Sequence, residues 1–269
     1  MNEIDKFWND SKKRVKNYPT SEMDENAKLF MQNSISEMYS FNFHWLGRPI
    51  IQYPQDIVAV QELIWTVKPD VILETGIAHG GSLILSASML ALLDLCENGS
   101  VTLEPNSKKP RRVIGVDIDI RSHNRKALME HPLYPRLTLI EGSAVSKDVI
   151  SKVKNEINDG ERVLIFLDSN HTHEHVLKEL EAYAPLTSKG SYCVVFDGIV
   201  EDLPKGFIKD RPWDKGDNPK TAVWEYLDKL KSYEITAADG NVLKFEIDKY
   251  IENKLQITVA PDGYLKRVD

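Results

Sequence analysis

The stretch VILETGIAHGGSLIL, Val71 to Leu85, decides the fold. Val71 to Glu74 has the length and apolar character of a strand, and from Gly80 to Leu95 apolar residues run nearly all round a helix. Between the two, Glu74-Thr75-Gly76-Ile77-Ala78-His79-Gly80-Gly81-Ser82 ends a strand on a carboxylate and opens a helix on Gly-Gly-Ser. The loop is glycine-rich, but it is not the dinucleotide pattern G-x-G-x-x-G. Glycines let the backbone turn and let a ligand approach closely. A helix N-terminus offers free N–H groups and positive potential to an anion. A pyrophosphate would satisfy these donors, and so would the carboxylate of an amino-acid-like ligand. Glu74 tilts the balance, because a carboxylate beneath the loop repels a pyrophosphate and suits an ammonium group.

Outward from this unit the alternation repeats. RVIGVDID (112–119), RLTLIEG (136–142), RVLIFLDS (162–169) and GSYCVVFDG (190–198) read as strands. Helical segments fall near 122–130, at 145–157 and in HEHVLKELEAYAPL after the fourth strand. Near-continuous Val/Ile/Leu strands separated by helices predict an α/β fold, its parallel sheet buried on both faces. Every strand ends on an acid: Glu74, Asp117, Glu141, Asp168 and Asp197. Ligands of such sheets sit beyond the strand C-terminal ends near the switch point. Five acids on that edge therefore point to a shared site. Asp117, closing the second strand, can accept both ribose hydroxyls of a nucleoside. Ribose, ammonium and carboxylate together describe S-adenosylmethionine better than NAD, and an insertion at about 96–111 stretches the two motifs beyond the usual dinucleotide spacing.

Composition sets the outer bounds. The 269 residues suffice for one full α/β domain with additions. A net charge of −7 argues against a phosphate-backbone binder, so nucleic acid is not an expected partner. Arg111-Arg112 and Lys108-Lys109 read as solvated loop charge. Cys96 and Cys193 share no C-x-x-C spacing, and Cys193 in YCVVF reads as a buried reduced thiol. The opening MNEIDKFWNDSKKRVKNYP has no apolar signal core, and no apolar run approaches the ~18 residues of a membrane span. The expectation is a soluble, cytoplasmic protein.

Residues 1–54 read as an N-terminal helical or lid segment, in which YSFNFHWLGRPI (39–50) is aromatic-rich and loop-like. From Gly198 to Pro219, several prolines and glycines predict a long loop, a candidate cover for a site. LQITVAPDGYLKRV (255–268) predicts a C-terminal antiparallel hairpin turning at Pro261-Asp262-Gly263.

Three histidines cluster in DSNHTHEHV: His171, His173 and His175. On a helix His171 and His175 share a face one turn apart. Three readings compete. The histidines could decorate a helix N-terminus capped by Ser169 or Asn170. Asp168, His171 and His175 could hold zinc or non-haem iron, as a hydroxylase would need. Asp168 and Asp197 could instead form an oxygen-rich magnesium or manganese site, with His171 removing a proton.

The blocks WLGRPIIQYPQDIVAVQELIW, ETGIAHGGSLILSASML, DIDIRSHNR, LDSNHTHEHV and GSYCVVFDGIVED carry a resemblance. Over about Tyr39 to Asp202 the chain resembles the cephalosporin hydroxylase / rhamnosyl O-methyltransferase family. The resemblance implies a Rossmann-like class I methyltransferase fold, with residues 55–269 as the S-adenosylmethionine-binding domain. It implies O-methylation of a sugar-like hydroxyl, assisted by a divalent metal such as magnesium. By the same likeness Glu74, Gly76, Gly80, Gly81, Ser82, Asp117, Ser143 and Asp168 would line the cofactor. Ser82 would receive its carboxylate, Asp117 its ribose, and Ser143 would lie by the adenine. Asp168 and Asp197 would hold the metal, and His171, three residues after Asp168, would be the base. Relatives carry Glu-Asp or Asp-Asn at the end of the fifth strand, whereas here Phe196-Asp197-Gly198 stands, so Glu201 or Asp202 is a candidate replacement ligand. The likeness is also compatible with a homo-oligomer. Two alternatives stay open: an iron hydroxylase built on Asp168, His171 and His175, and a non-catalytic cofactor-binding partner protein.

Overall fold

Two helices open the chain, α1 (Glu3–Asn17) and α2 (Glu22–Ser36), followed by a hairpin of β1 (Phe43–Trp45) and β2 (Arg48–Ile50) and then α3 (Pro54–Val67). The structure, a computed structural model, describes residues 1–99 and 110–269; Lys108-Lys109 and the middle of the 96–111 insertion lie outside the described residues. The stretch expected to be loop-like at 39–50 is thus mostly a hairpin. Its two-residue turn puts Leu46 at φ +43° and Gly47 at φ +85°, the left-handed pair that matches strand twist.

The alternating region follows as β3 (Val71–Thr75), α4 (Gly81–Asn98), β4 (Arg112–Asp117), α5 (Ser122–Met129), β5 (Leu137–Glu141), α6 (Lys147–Glu156), β6 (Val163–Leu167), α7 (His173–Tyr183) and β7 (Tyr192–Val195). Then come α8 (Pro219–Ser232), β8 (Phe245–Ile247), α9 (Lys249–Leu255) and β9 (Tyr264–Arg267). One seven-stranded sheet results, in the order β5-β4-β3-β6-β7-β9-β8. The first five pair in parallel, and β9 runs antiparallel between β7 and β8. The C-terminal antiparallel pair is therefore present, but its first arm is β8, with α9 between the arms, and the Pro261–Gly263 turn only leads into β9.

Side-chain alternation along β3 shows why the strands read as continuous apolar runs. Ile72 belongs to one core cluster, with Leu63, Leu83 and Leu90 from α3 and α4. Val71 and Leu73 belong to the other, with Val153, Leu180 and Tyr226 from α6, α7 and α8. Both faces are covered, and each fully buried Leu or Ile contributes about 2–3 kcal/mol. Cys193 is buried on the second face and Cys96 is exposed. Helix α4 is long and apolar enough to cross a membrane by length and composition alone. Half of it is buried within the protein, as befits a core helix.

The arginine pair is not solvated loop charge. Arg111 donates to Asp94 and Glu97, and Arg112, at the start of β4, grips both Glu161 oxygens at 2.7 Å. A segment that leads into a buried strand needs its charges paired, and these acids supply the partners.

Candidate active site

The parallel strands reverse direction of winding between β3 and β6, and their C-terminal ends open a cleft of about 450 Å³. The loop after β3 forms one wall. Gly76 has φ +81°, and a Cβ there would stand 2.0 Å from the Asp168 carbonyl oxygen. Glycine at this position lets the β3 loop press against the end of β6. At Gly81 a Cβ would stand 2.2 Å from the Pro49 carbonyl oxygen, so that glycine seats β2 on the start of α4. Gly80 supplies a left-handed N-cap at φ +83°. Arg48 donates twice to the His79 carbonyl and once to Asn124 Oδ1, while Asn124 donates to the Ala78 carbonyl. The hairpin and α5 therefore lock the loop from outside.

Asp117 accepts the Ile77 N–H at 2.9 Å and the Asp119 N–H at 3.1 Å. These two donors fix the carboxylate and leave further lone pairs on both oxygens. Gly142 N–H donates to the Asp117 carbonyl, so Ser143 follows at the same sheet edge, outside the wall of the cleft. Glu141 is exposed and pairs with Arg125. Four of the five strand-end acids, not all five, gather at the site.

Glu74 is buried at the end of β3, where the Ser82 hydroxyl donates to its carboxylate. Burial pushes its pKa up to about 8, partly offset by that hydrogen bond. A small cavity beneath the cleft joins Glu74, Ser82, Ser86, Asp168 and Gln52.

Beyond β6 and β7 lie the acids and the histidine. One ligating atom each from Asp168, His171 and Asp197 fall within 4.8 Å of one another. His171 Nε2 stands 3.0 Å from Asp197 Oδ2, and the His171 ring meets Trp213 edge-to-face at 4.6 Å. Burial, then repulsion from Asp197 and Glu74, hold the Asp168 carboxyl well above its ordinary value.

The other histidines are elsewhere. Helix α7 begins at His173 with Thr172 as N-cap, so His171 precedes the helix and does not share a face with His175. His175 Nε2 meets Ser169 Oγ at 3.0 Å and faces buried Glu179, and His173 lies between Thr221 and Glu225. Glu201 accepts from Gly216 and Asn218, and Asp202 pairs with Lys220, so neither replaces the departed strand-end acid.

Several lining residues escaped sequence reasoning. Phe41, Tyr53 and Gln52 reach the cleft from the N-terminal segment, and Ile208, Arg211 and Trp213 from the long loop. Gln52 had one visible signal, a lone amide in the run Ile50-Ile51-Gln52-Tyr53 ahead of a helix-starting proline.

The sheet order, five parallel strands followed by an antiparallel pair, with a carboxylate fixed at the end of β4, is that of the class I methyltransferase fold. The match to a CmcI structure described as a Mg–SAM complex is at this level: 16% identity, TM-score 0.51, covering 85% of this chain and 78% of that one. A CmcI apo structure gives the same TM-score at 17% identity, covering 85% and 77%. The family model described as rhamnosyl O-methyltransferase/CmcI matches residues 37–268, and the chain belongs to that family. Among curated relatives, the rhamnosyl O-methyltransferase of Mycobacterium leprae (strain TN) is 26% identical over 226 residues, 83% of this chain and 82% of the relative. That of Mycobacterium tuberculosis (strain ATCC 25618 / H37Rv) is 26% identical over 217 residues, 79% and 73% respectively.

Proposed function

We propose that this chain is an S-adenosylmethionine-dependent O-methyltransferase that acts, with magnesium, on a hydroxyl of a sugar or similar polar molecule. The observation that carries the reading is the convergence of Asp117, Asp168, His171 and Asp197 on one cleft, in a member of this family. The rhamnosyl O-methyltransferase name of the relatives supports a sugar acceptor, and the Mg–SAM complex of CmcI supports the cofactor pair.

The residues present fit both groups. For the cofactor there are an oriented carboxylate at Asp117 for its ribose and a locked glycine loop. For the metal, Asp168 and Asp197 are hard oxygen donors held near each other, a set suited to magnesium. When bound, the cofactor supplies the methyl group and the cation stabilises the deprotonated acceptor oxygen. Asp117 receives the ribose hydroxyls, with Ser143 further along the same edge toward the base. Gly76, Gly80, Gly81 and Ser82 shape the methionine end with Glu74. His171 would take the proton of the acceptor hydroxyl, leaving that oxygen ready for the methyl group the cofactor would supply. Asp197 pairs with His171 and would also hold the metal, so it orients the imidazole and balances its positive charge.

Residues 1–54 act as a lid on the 55–269 domain. Ile35, Phe41 and Tyr53 from the lid, and Leu203, Ile208 and Trp213 from the loop 198–219, face the cleft and exclude water from the acceptor. The iron-hydroxylase reading is not favoured, because His175 is turned to Ser169 and Glu179 and stands outside the cluster. The test is transfer of labelled methyl from S-adenosylmethionine to rhamnosides and related glycosides. Transfer that needs magnesium and stops on chelation is expected. Cofactor binding with no transfer to any hydroxyl would favour the partner-protein reading instead.

A further inference from the structure

We infer that Gln52 is a ligand-holding residue, its side-chain oxygen receiving the ammonium of an amino-acid-bearing nucleoside in the small cavity beneath the cleft. The inference rests on the proposed cofactor class. Gln52 is only 6% exposed, yet its Oε1 has no hydrogen-bond partner among the described residues. Burying an amide oxygen unpaired is unfavourable, and native proteins seldom leave one so. The same side chain lines both the cleft and the cavity below it, at their junction.

The cavity defines the guest. Its volume is about 10 Å³, room for one group the size of a water molecule. Its polar lining is rich in acceptors: Gln52, the Glu74 and Asp168 carboxyls, and the Ser82 and Ser86 hydroxyls. Ser82 already donates its proton to Glu74, and the lining offers no cationic side chain to an anion. A carboxylate is too large and carries the wrong charge. An ammonium has the right size, sign and three donors, and Gln52, Glu74 and Asp168 can each take one.

The experiment compares two nucleosides by calorimetry: S-adenosylhomocysteine, and 5′-methylthioadenosine, which lacks the amino-acid end. Gln52→Leu should weaken S-adenosylhomocysteine roughly 10- to 100-fold, the value of one hydrogen bond to a charged group. It should leave methylthioadenosine unchanged, which also shows that the variant is folded. Gln52→Glu keeps the acceptor and should bind S-adenosylhomocysteine within a few-fold of wild type. Equal losses for both nucleosides, or none for either, would overturn the role of Gln52 while leaving the cofactor class standing. A wild-type protein that binds neither would overturn both.

Discussion

At the scale of single residues, the site depends on how few atoms hold His171. Its imidazole lies between Asp197 Oδ2 at 3.0 Å and the Trp213 ring, outside any helix. A general base of this kind contributes roughly 10²–10⁴-fold to rate. His171→Ala should lower kcat by that factor and leave the S-adenosylmethionine Kd within about two-fold, since nothing places the ring at the nucleoside; steady-state kinetics with calorimetry would check both. Unchanged kcat would remove His171 from the chemistry. The sequence exposed His171, Asp168 and Asp197 because each follows a recognisable strand. It misplaced the histidine relative to His175 because Ser169, Asn170 and Thr172 are all good N-cap residues, and it is Thr172 that caps a helix beginning at His173. Gln52, marked only by its lone amide, and Trp213, inside a loop legible only as a cover, were harder to single out: they come from segments far in sequence from the strand ends, and folding brings them there.

At the scale of elements, the five parallel strands were legible because their interiors are near-continuous apolar runs, most of them buried on both faces. The flanking pieces were not. Strand β8 is three residues with an exposed middle, and the β1–β2 turn uses Leu46-Gly47, which lacks the Asn-Gly or Asp-Gly signal. What holds the C-terminal segment to the N-terminal half is a buried carboxylate on α3. Asp56 accepts from the Thr258 hydroxyl at 2.5 Å, the Val259 N–H at 3.0 Å and the Tyr264 hydroxyl at 2.9 Å. Asp56→Ala would strand three buried donors and should destabilise the fold by about 3 kcal/mol or more in urea unfolding at pH 7. A loss below about 1 kcal/mol would show that the segment is held by packing alone.

For the whole molecule, four acids with raised pKa set the response to pH, Asp168 among them. Burial raises Asp56 to about 6, Glu179 to about 7 and Glu74 to about 8. Each folded pKa exceeds its unfolded value, so the folded state holds these protons more tightly. Their stabilising contribution is complete below the ordinary carboxylate range and is lost as pH rises through 6, 7 and 8. The Tm should therefore fall from pH 5.5 to 8.5. Glu179→Gln, which removes a charge whose second oxygen has no partner among the described residues, should shrink that fall by up to about 3 kcal/mol in unfolding free energy. A Tm that rises across this range, or a slope Glu179→Gln leaves untouched, would contradict the assignment. Charge at the opposite extreme acts the other way. Although burial opposes it, the Arg112 pair holds Glu161 down at about 2, so that contribution is lost only in acid, as pH falls from the ordinary carboxylate range toward 2.

The cleft as a whole has meaning only if it takes the nucleoside that Asp117 is oriented to hold. Titrating S-adenosylmethionine calorimetrically into the wild-type and Asp117→Ala proteins tests this most directly. Saturable one-to-one binding to wild type, at least about 10-fold weaker in the variant, is the predicted result. No saturable binding to wild type, or equal binding to both, would contradict it.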